Sequence, residues 1–351
     1  MRKAVWISAL VLVIAALLCI FLYPRWARPK RQPPAAPEPP PKRATITFIG
    51  DIMLASGAGK LASARGTEDL LSGVSDVLRA DDLTIGNLEC AVATTGTPAD
   101  KDYTFRADPV LLPGLRRAGV DAVSLANNHS LDYGGAALLE TLEHVQKAGL
   151  HSAGAGANLS AAAAPAIIAA GGHKVAFIAA SRVLPSGAWY AAADRPGIAP
   201  AYDPAHMLAA IRSASARADI VIAYLHWGKE RAIRPEGYQR SVARQCIEAG
   251  ADLVVGTHPH VLQGFEYHRG KLIAYSLGNF VFNNRVKETA MLQTRFADGG
   301  MNGAGVIACH ITGYRPQLVD DPRVRQQMLR SLEERSFGVR IADDGSLSPA
   351  Q

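Results

Sequence analysis

The stretch Val254-Val-Gly-Thr-His-Pro-His260 gives the first indication of both the fold and a functional site in this chain. Leu253 and the two valines form a short apolar run that predicts a buried strand, which Gly256 ends. His258 and His260 follow at once. Histidines at the carboxyl end of a strand lie in the loop crevice of an α/β sheet, where their ring nitrogens are well placed to bind a metal ion. The alternative is a loop that contains two unrelated histidines.

Four other predicted strands end in the same way, and this recurrence favours the metal site. Each is an apolar or β-branched run followed by carboxylate, amide or imidazole side chains. These strands and the residues after them are 44–50 with Asp51, 82–86 with Asn87 and Glu89, 120–125 with Asn128 and His129, and 220–225 with His226. Two more strands are predicted at 175–179 and 272–276, and Asn279 follows the second.

Predicted helices alternate with these strands. The helices at 109–118, 136–148 and 238–249 are each followed by a glycine, Gly119, Gly149 and Gly250, at the position where a positive φ angle costs least. A fourth helix is predicted at 205–216. Alternation of strands and helices indicates an α/β architecture with right-handed crossovers.

The amino-terminal segment has a different composition. Residues 4–23 contain no charged side chain, and 20 such residues are about enough to cross the hydrocarbon layer of a membrane. No small-x-small cleavage site follows, so residues 1–23 are predicted to be a transmembrane signal anchor. Residues 24–43 contain eight prolines and are predicted to form a stiff, extended linker.

The positive charge of the chain is concentrated in the same segment. Residues 1–43 have eight Lys and Arg and one Glu, a net charge of +7, whereas the whole chain has +6. Residues 44–351 therefore sum to −1, which argues against a nucleic-acid-binding surface. More basic residues follow the apolar run than precede it, and by the positive-inside rule this favours a cytoplasmic domain.

Taken together, the motifs resemble those of the CapA family, named for poly-γ-glutamate capsule synthesis and similar in fold to the calcineurin-like metallophosphoesterases. They span residues 45–285. The matching motifs are Gly50-Asp51-Ile-Met-Leu54, Gly86-Asn-Leu-Glu89, Ser124-Leu-Ala-Asn-Asn-His129 with Asp132-Tyr-Gly134, His226-Trp-Gly-Lys-Glu230, Gly256-Thr-His-Pro-His-Val-Leu-Gln263 and Tyr275-Ser-Leu-Gly-Asn-Phe280.

The resemblance implies a fold and a location. It implies an α/β domain over residues 44–320, a four-layer sandwich of two mixed sheets flanked by helices, with a carboxyl-terminal tail at 321–351 that contains a short helix. It also implies that the domain lies outside the cytoplasm, in the periplasm or at the cell surface. We adopt this orientation over the one that the charge distribution favours.

The resemblance also implies a metal centre. Its predicted ligands are Asp51, Glu89, Asn87, Asn128, His226, His258 and His260. Asp51 takes the place of the first aspartate of the metallophosphoesterase pattern, Met53 stands where that pattern has a histidine, and Asn87 or Glu89 replaces its bridging aspartate. Mixed oxygen and nitrogen ligands suit manganese, iron and zinc alike. Two carboxylates balance one divalent ion, so we expect one firmly bound ion and a second, weaker one.

Further residues are assigned to catalysis and substrate binding. By resemblance, His129 is the general acid, and Asp51 takes part in catalysis as a metal ligand; the alternative for His129 is a structural hydrogen bond. Arg106 is a candidate clamp for an anionic substrate. Glu230 and Asn279 are candidate substrate contacts.

Three functions remain open at this stage. The first is a membrane-anchored component in the synthesis or export of an anionic cell-envelope polymer of the poly-γ-glutamate type, with polymer-synthase subunits as partners. The second is an active metal-dependent hydrolase that cleaves a phosphoester or the γ-glutamyl bonds of the polymer. The third is a binding module of an envelope assembly that has lost turnover, since Met53 removes a ligand of the pattern.

Overall fold

The computed structural model describes residues 2–21, 41–298 and 300–350, and the chain divides into two units, Met1–Pro40 and Pro41–Gln351. In the first unit, helix α1 spans Arg2–Phe21. Among the described residues, no helix combines the length and the apolar character that crossing a membrane requires. Most of the predicted linker, residues 24–40, lies outside the described residues.

The second unit contains two large sheets. The first is a mixed sheet of eight strands, in which β1 lies at the centre with β2 and β15 parallel to it and β16 antiparallel. Its strands are β1 (Arg43–Ile52), β2 (Leu83–Leu88), β5 (Ala122–Ser124), β6 (His151–Ala153), β15 (Asn279–Val281), β16 (Glu288–Ala297), β17 (Gly300–Thr312) and β18 (Arg315–Leu318).

The second large sheet is also mixed and has six strands. Four of them are parallel, in the order β14, β12, β11, β9, and an antiparallel strand closes each edge. Its strands are β8 (Ala166–Ala170), β9 (His173–Ser181), β11 (Ile220–His226), β12 (Leu253–Thr257), β13 (Phe265–His268) and β14 (Lys271–Ala274).

The described part of the second unit also contains three short strand pairs, nine α-helices and two 3₁₀ helices, Pro109–Leu111 and Gly187–Trp189. The pairs are β3 (Ala91–Val92) with β4 (Arg106–Ala107), β7 (Ala155–Gly156) with β10 (Gly197–Ile198), and β19 (Val339–Ile341) with β20 (Leu347–Pro349). The helices are α2 (Ser56–Arg65), α3 (Thr67–Leu71), α4 (Ser75–Ala80), α5 (Leu112–Arg117), α6 (Gly134–Lys147), α7 (Leu159–Ala163), α8 (Ala205–Ser215), α9 (Gly237–Glu248) and α10 (Pro322–Arg335).

The two large sheets pack against each other through a shared apolar core. Alternate residues of β11 point to opposite sides of the sheet, as the pleat of a strand requires. Tyr224 belongs to the core between the sheets, where its hydroxyl donates to the carbonyl of Ile49 at 2.6 Å. Leu225 belongs to a second core that α8 and α9 cover, with Met207 and Val242. Each face of β11 is therefore buried, which explains its uninterrupted apolar sequence.

The predicted α/β class with two mixed sheets is confirmed. The seven predicted strands correspond to β1, β2, β5, β9, β11, β12 and β14. The three glycines predicted to follow helices, Gly119, Gly149 and Gly250, have φ angles of 105°, 75° and 113°. Sequence patterns therefore located the parallel core of the domain and the turns that lead into it.

The antiparallel strands of the two large sheets are the main part that the sequence analysis did not predict, together with the short parallel strands β6 and β15. The hairpin of β16 and β17 is the longest of them, and β16 continues the sheet from β1. Residues 321–350 pack on the same domain, since Phe337 donates its N–H to the carbonyl of Phe265 at 2.8 Å and α10 contributes Leu329 and Leu332 to the main core.

Candidate metal centre

The carboxyl ends of the parallel strands bring the predicted ligands together. Two groups of side chains each have their ligand atoms within 4.8 Å of one another. One consists of Glu89, His226 and His258, and the other of Asp51, Glu89 and His260. Glu89 is shared by both groups, so its carboxylate lies at the centre of the cluster.

A close approach of two glycines positions Asp51. A Cβ atom on Gly50 would lie 1.9 Å from the carbonyl oxygen of Gly278, so only glycine fits there. This contact lets Asp51 donate its N–H to the same carbonyl at 2.9 Å and pair with Asn279 across β1 and β15. On its other side Asp51 pairs with Asn87 of β2. The backbone of three strands thus fixes the position of the carboxylate.

The histidine loop after β12 has a strained backbone. His258 and His260 have φ angles of 94° and 59°, which residues other than glycine rarely adopt. The N–H of Arg231 holds the loop through the carbonyl of Pro259 at 2.7 Å, and the N–H of His258 points to Asp51 Oδ2 at 3.4 Å. Strain of this kind persists only where surrounding contacts enforce it, and it concentrates at functional sites.

Three buried atoms of the cluster have no hydrogen-bond partner among the described residues. They are both carboxylate oxygens of Glu89 and Nδ1 of His258. Leaving such atoms unpaired in the interior is expensive, so a native protein normally provides a partner. Carboxylate oxygens and imidazole nitrogens are the donors that manganese, iron and zinc accept. The residues present therefore fit a divalent cation.

The electrostatics of the cluster agree with this assignment. Burial, reinforced by the charge of Asp51, raises the pKa of Glu89 well above its usual range. Burial also lowers the pKa of His226 well below its usual range and that of His258 to about 3, so both rings are neutral, as ligands must be. Burial acts to lower the pKa of His260, but the charges of Glu89 and Asp51 outweigh it and raise that pKa to about 10. The two carboxylates thus attract positive charge into the site.

Asn87 and Asn128 occupy different positions relative to the ligand atoms. The side-chain nitrogen of Asn87 donates to Asp51 Oδ1 at 2.8 Å, and its oxygen accepts from Asn127 at 3.1 Å. The oxygen of Asn87 therefore serves a hydrogen bond. In contrast, Oδ1 of Asn128 lies 2.8 Å from Nε2 of His226, which is itself 3.5 Å from Glu89. Of these two amides, Asn128 has its oxygen among the ligand atoms.

His129 is held by a buried ion pair. Its Nδ1 lies 2.8 Å from Asp132 Oδ2, and Asp132 also accepts from Nζ of Lys101 at 2.6 Å and from the N–H of Phe105 at 2.6 Å. Lys101 lies 3.2 Å from the same ring nitrogen and donates to the carbonyl of Asn128 at 2.8 Å. Burial lowers the pKa of His129, and Asp132 partly opposes this effect. These contacts engage Nδ1, whereas Nε2 has no hydrogen-bond partner among the described residues.

The three predicted substrate contacts lie in different surroundings. Asn279 is buried, and its Oδ1 lies 2.8 Å from Nδ1 of His260, so it orients that ring. Glu230 is exposed. Arg106 is exposed and lies over the ring of Tyr133 at 4.3 Å, with Nη1 donating to the carbonyl of Thr95 at 3.1 Å. Only Asn279 therefore contacts the ligand cluster directly.

Sequence reasoning missed the residues that support His129. Asp132 belongs to one of the matching motifs, but no role was predicted for it. Its position three residues after His129 could have indicated a contact between the two side chains. Lys101 gave no signal, because it lies in a loop of alternating charges, Asp100-Lys-Asp102, and reaches the site only through the fold.

Comparison with known proteins identifies the family. The family model described as "Bacterial capsule synthesis protein PGA_cap" matches residues 45–284, which contain every residue of the cluster. This chain belongs to that family. The resemblance to CapA proteins that its motifs indicated is thereby confirmed.

Relatives of the chain carry related names. "PGA biosynthesis protein CapA" of Bacillus subtilis (strain 168) is 32% identical over 87% of this chain and 81% of that protein. "Capsule biosynthesis protein CapA" of Bacillus anthracis is 31% identical over 83% of this chain and 73% of that protein. A "probable polyglutamine synthesis accessory protein" of Mycobacterium tuberculosis (strain ATCC 25618 / H37Rv) is 29% identical over 75% of each. A solved structure of a hypothetical protein from Thermus thermophilus has a TM-score of 0.47 and 17% identity over 76% of this chain and 100% of that one.

Proposed function

We propose that this chain is a membrane-anchored accessory protein in the synthesis or export of an anionic cell-envelope polymer of the poly-γ-glutamate type. The proposal places α1 in the membrane and the domain outside the cytoplasm, and polymer-synthase subunits are its expected partners. The observation that carries it is a buried ligand cluster within a domain of the capsule synthesis family. The names of the relatives supply the class of polymer.

The charge around the cluster supports an anionic partner. Five loops follow strands of the two large sheets at this edge, at residues 125–133, 182–196, 227–236, 258–264 and 282–287, and together they contain seven Lys and Arg but only four Asp and Glu. The domain as a whole has a slight excess of acid, −1 over residues 44–351. These loops therefore carry a net positive charge, and a positive field attracts polyanions.

We further propose that the domain is a four-layer sandwich of the metallophosphoesterase type that binds one divalent ion firmly and a second one weakly. Asp51, Glu89, His226, His258 and His260 would hold the ions, with Asn128 as a neutral ligand. A bound ion of this kind supplies Lewis acidity and lowers the pKa of a bound water. Metal analysis of the purified full chain is expected to give about one tightly held ion per molecule; two tightly held ions would contradict this stoichiometry.

The carboxylate of Glu89 and the imidazole nitrogen of His258, which are unpaired among the described residues, are also compatible with a metal-dependent hydrolase. In that alternative His129, oriented by Asp132, gives its proton to the leaving group, and the basic rim holds an anionic phosphoester or γ-glutamyl substrate. The third function is a binding module in which the same cluster only holds the polymer or stabilises the fold.

One pair of measurements separates these functions. His258→Ala in the producing cell is expected to abolish polymer output under the first proposal. Purified wild-type protein loaded with manganese or zinc is then tested for cleavage of phosphoester and γ-glutamyl substrates. Cleavage that His129→Ala removes would establish the hydrolase, whereas loss of output without any cleavage would favour the accessory or binding role. Normal output from the His258→Ala strain would contradict the proposal.

The proposed location has its own test. A protease added to intact cells after removal of the outer layers is expected to degrade the domain, because the proposed topology exposes it outside the membrane. Deletion of residues 1–40 should move the protein from the membrane to the soluble fraction. Protection of the domain in intact cells, with digestion only after lysis, would support the orientation that the positive-inside rule favours.

A further inference from the structure

Arg182 is a basic residue at the same edge of the sheet as the ligands, and its side chain has no polar partner in the described residues. Its guanidinium carbon lies 3.8 Å from the ring centroid of Tyr238 and 4.5 Å from that of Tyr202. Within residues 41–298 and 300–350 it forms no ion pair, and its side chain donates no hydrogen bond. Stacking on aromatic faces orients a guanidinium and leaves the N–H donors at its edge available.

The backbone ties this arginine to the ligand cluster. Arg182 follows β9 directly, and its N–H donates to the carbonyl of His226 at 2.9 Å. The hydroxyl of Tyr238 accepts from the N–H of Gly228 at 2.6 Å, two residues after His226. The end of β11, which positions His226, therefore also helps to position Arg182 and Tyr238.

The side chain of Arg182 nevertheless lies on the opposite side of the sheet from the ligands. Ser181, the last residue of β9, pairs with His226, so those two side chains share one face of the sheet, and Arg182 follows after the strand has ended. Tyr238, on which Arg182 stacks, packs against the outer core that α8 and α9 cover. A ligand bound by Arg182 is therefore separate from the group at the metal centre, although both lie at the same edge of the sheet.

We propose that Arg182, stacked on Tyr202 and Tyr238, is a carboxylate-binding subsite that holds one unit of an anionic polymer while a neighbouring unit lies at the metal centre. This inference rests on the proposed function, from which it takes the polymer. A planar guanidinium edge pairs with a carboxylate through two parallel hydrogen bonds. Because Tyr202 is exposed, the subsite is open to a long chain that passes over the rim.

The test compares binding of poly-γ-glutamate with that of free glutamate and polyphosphate. With the full-length chain, Arg182→Gln is expected to weaken binding of the long polymer by about ten- to a hundred-fold, the range that loss of a charge-assisted bidentate contact gives. Free glutamate should show no such loss, because a single unit does not span both positions. Arg182→Lys keeps the charge without the planar fork and should recover only part of the affinity.

Arg212→Gln is the matched control, since it removes the same charge from the exposed face of α8. It should bind polymer like the wild type. Equal affinity of Arg182→Gln and wild type, or full recovery in Arg182→Lys, would overturn the subsite. An equal loss of polyphosphate binding would also overturn it, because the site would then recognise anions in general. If the wild-type chain binds no poly-γ-glutamate at all, the proposed function fails together with the subsite. If the wild type binds the polymer and Arg182→Gln binds it equally well, only the subsite fails.

Discussion

Glu89→Gln is expected to abolish firm metal binding and, at the same time, to stabilise the metal-free protein. Both oxygens of Glu89 are buried and have no hydrogen-bond partner in the described part of the chain, and the carboxylate of Asp51 lies in the same ligand group. Desolvation of the Glu89 carboxylate destabilises the fold, and the protonated ring of His260 offsets that cost only in part while no metal ion is bound. Glutamine has the same shape without the charge. We therefore expect the free energy of unfolding of the metal-free protein to rise by about 1–2 kcal/mol, a figure that allows for the cost of the unpaired buried amide.

The metal affinity should change in the opposite direction. Loss of a residue that only orients a ligand already lowers affinity by about 10- to 100-fold, so loss of the central carboxylate should lower it by more than about 100-fold. Urea unfolding in EDTA and in excess manganese or zinc measures both effects on the same samples. Wild-type protein should gain stability with added metal, and the Glu89→Gln protein should not.

Glu266→Gln is the matched control, because the same substitution there removes a carboxylate that has partners. Glu266 accepts from Arg240 at 3.1 Å, from Arg244 at 2.7 Å and from the hydroxyl of Tyr275 at 2.8 Å. Breaking this group should cost about 2–4 kcal/mol, less than for a fully buried pair because both arginines are partly exposed. Metal binding should persist in this variant. A Glu89→Gln protein that loses stability like the control would show that the cluster is a structural network and not a metal site.

The sequence predicts the role of a residue when that residue ends or directly follows a strand that can be recognised from its own local pattern. Asp51, Glu89, His226 and His258 each end or follow an apolar run that is recognisable by itself, and the parallel sheets bring such ends to one edge. Patterns of this kind made the parallel core and the ligand groups predictable. The antiparallel strands β16 and β17 were missed. They form a hairpin with each other, but β16 also pairs with β1, which is distant in sequence, and no local pattern records that pairing.

Three features of the site depend on tertiary contacts that no local pattern records. Asn87 has a side chain and a sequence position typical of a ligand, but its amide oxygen accepts a hydrogen bond from Asn127, which follows a different strand. Lys101 reaches Asp132 from a loop 31 residues away in the sequence. Arg182 stacks on rings that come from the segment before α8 and from α9. In each case the role is set by a partner that only folding brings near.

Asp132→Asn is expected to lower the free energy of unfolding by about 3–5 kcal/mol, the cost of breaking a buried ion pair. Asp132 is fully buried, and the side chain of Lys101 is 15% exposed. Both carboxylate oxygens accept from donors: Oδ1 from Lys101, and Oδ2 from His129 and Phe105. Asparagine has one acceptor and one donor group, so either rotamer directs an N–H toward another donor or toward the ammonium.

A double-mutant cycle with Lys101→Met measures this interaction. Once the ammonium is replaced by an apolar side chain, the amide nitrogen introduced at position 132 no longer faces a charge, and the amide oxygen can still accept from His129 and Phe105. The double variant should therefore recover part of the stability that Asp132→Asn loses, with a coupling energy of about 1–3 kcal/mol. Strict additivity of the two single changes would contradict a direct interaction between the two residues.

The same cycle separates the role of Asp132 in stability from its role in holding His129. Under the hydrolase alternative, Asp132→Asn should reduce turnover by about 10²- to 10⁴-fold, the contribution typical of a positioned acid or base, because the imidazole loses the acceptor that orients it. Lys101→Met keeps that acceptor and should retain far more activity at equal metal content. If activity instead follows stability across the three variants, Asp132 acts only on the fold. The accessory role is favoured if wild-type protein shows no turnover and polymer output follows stability across the variants. Polymer output would then require an intact site but no proton transfer by His129.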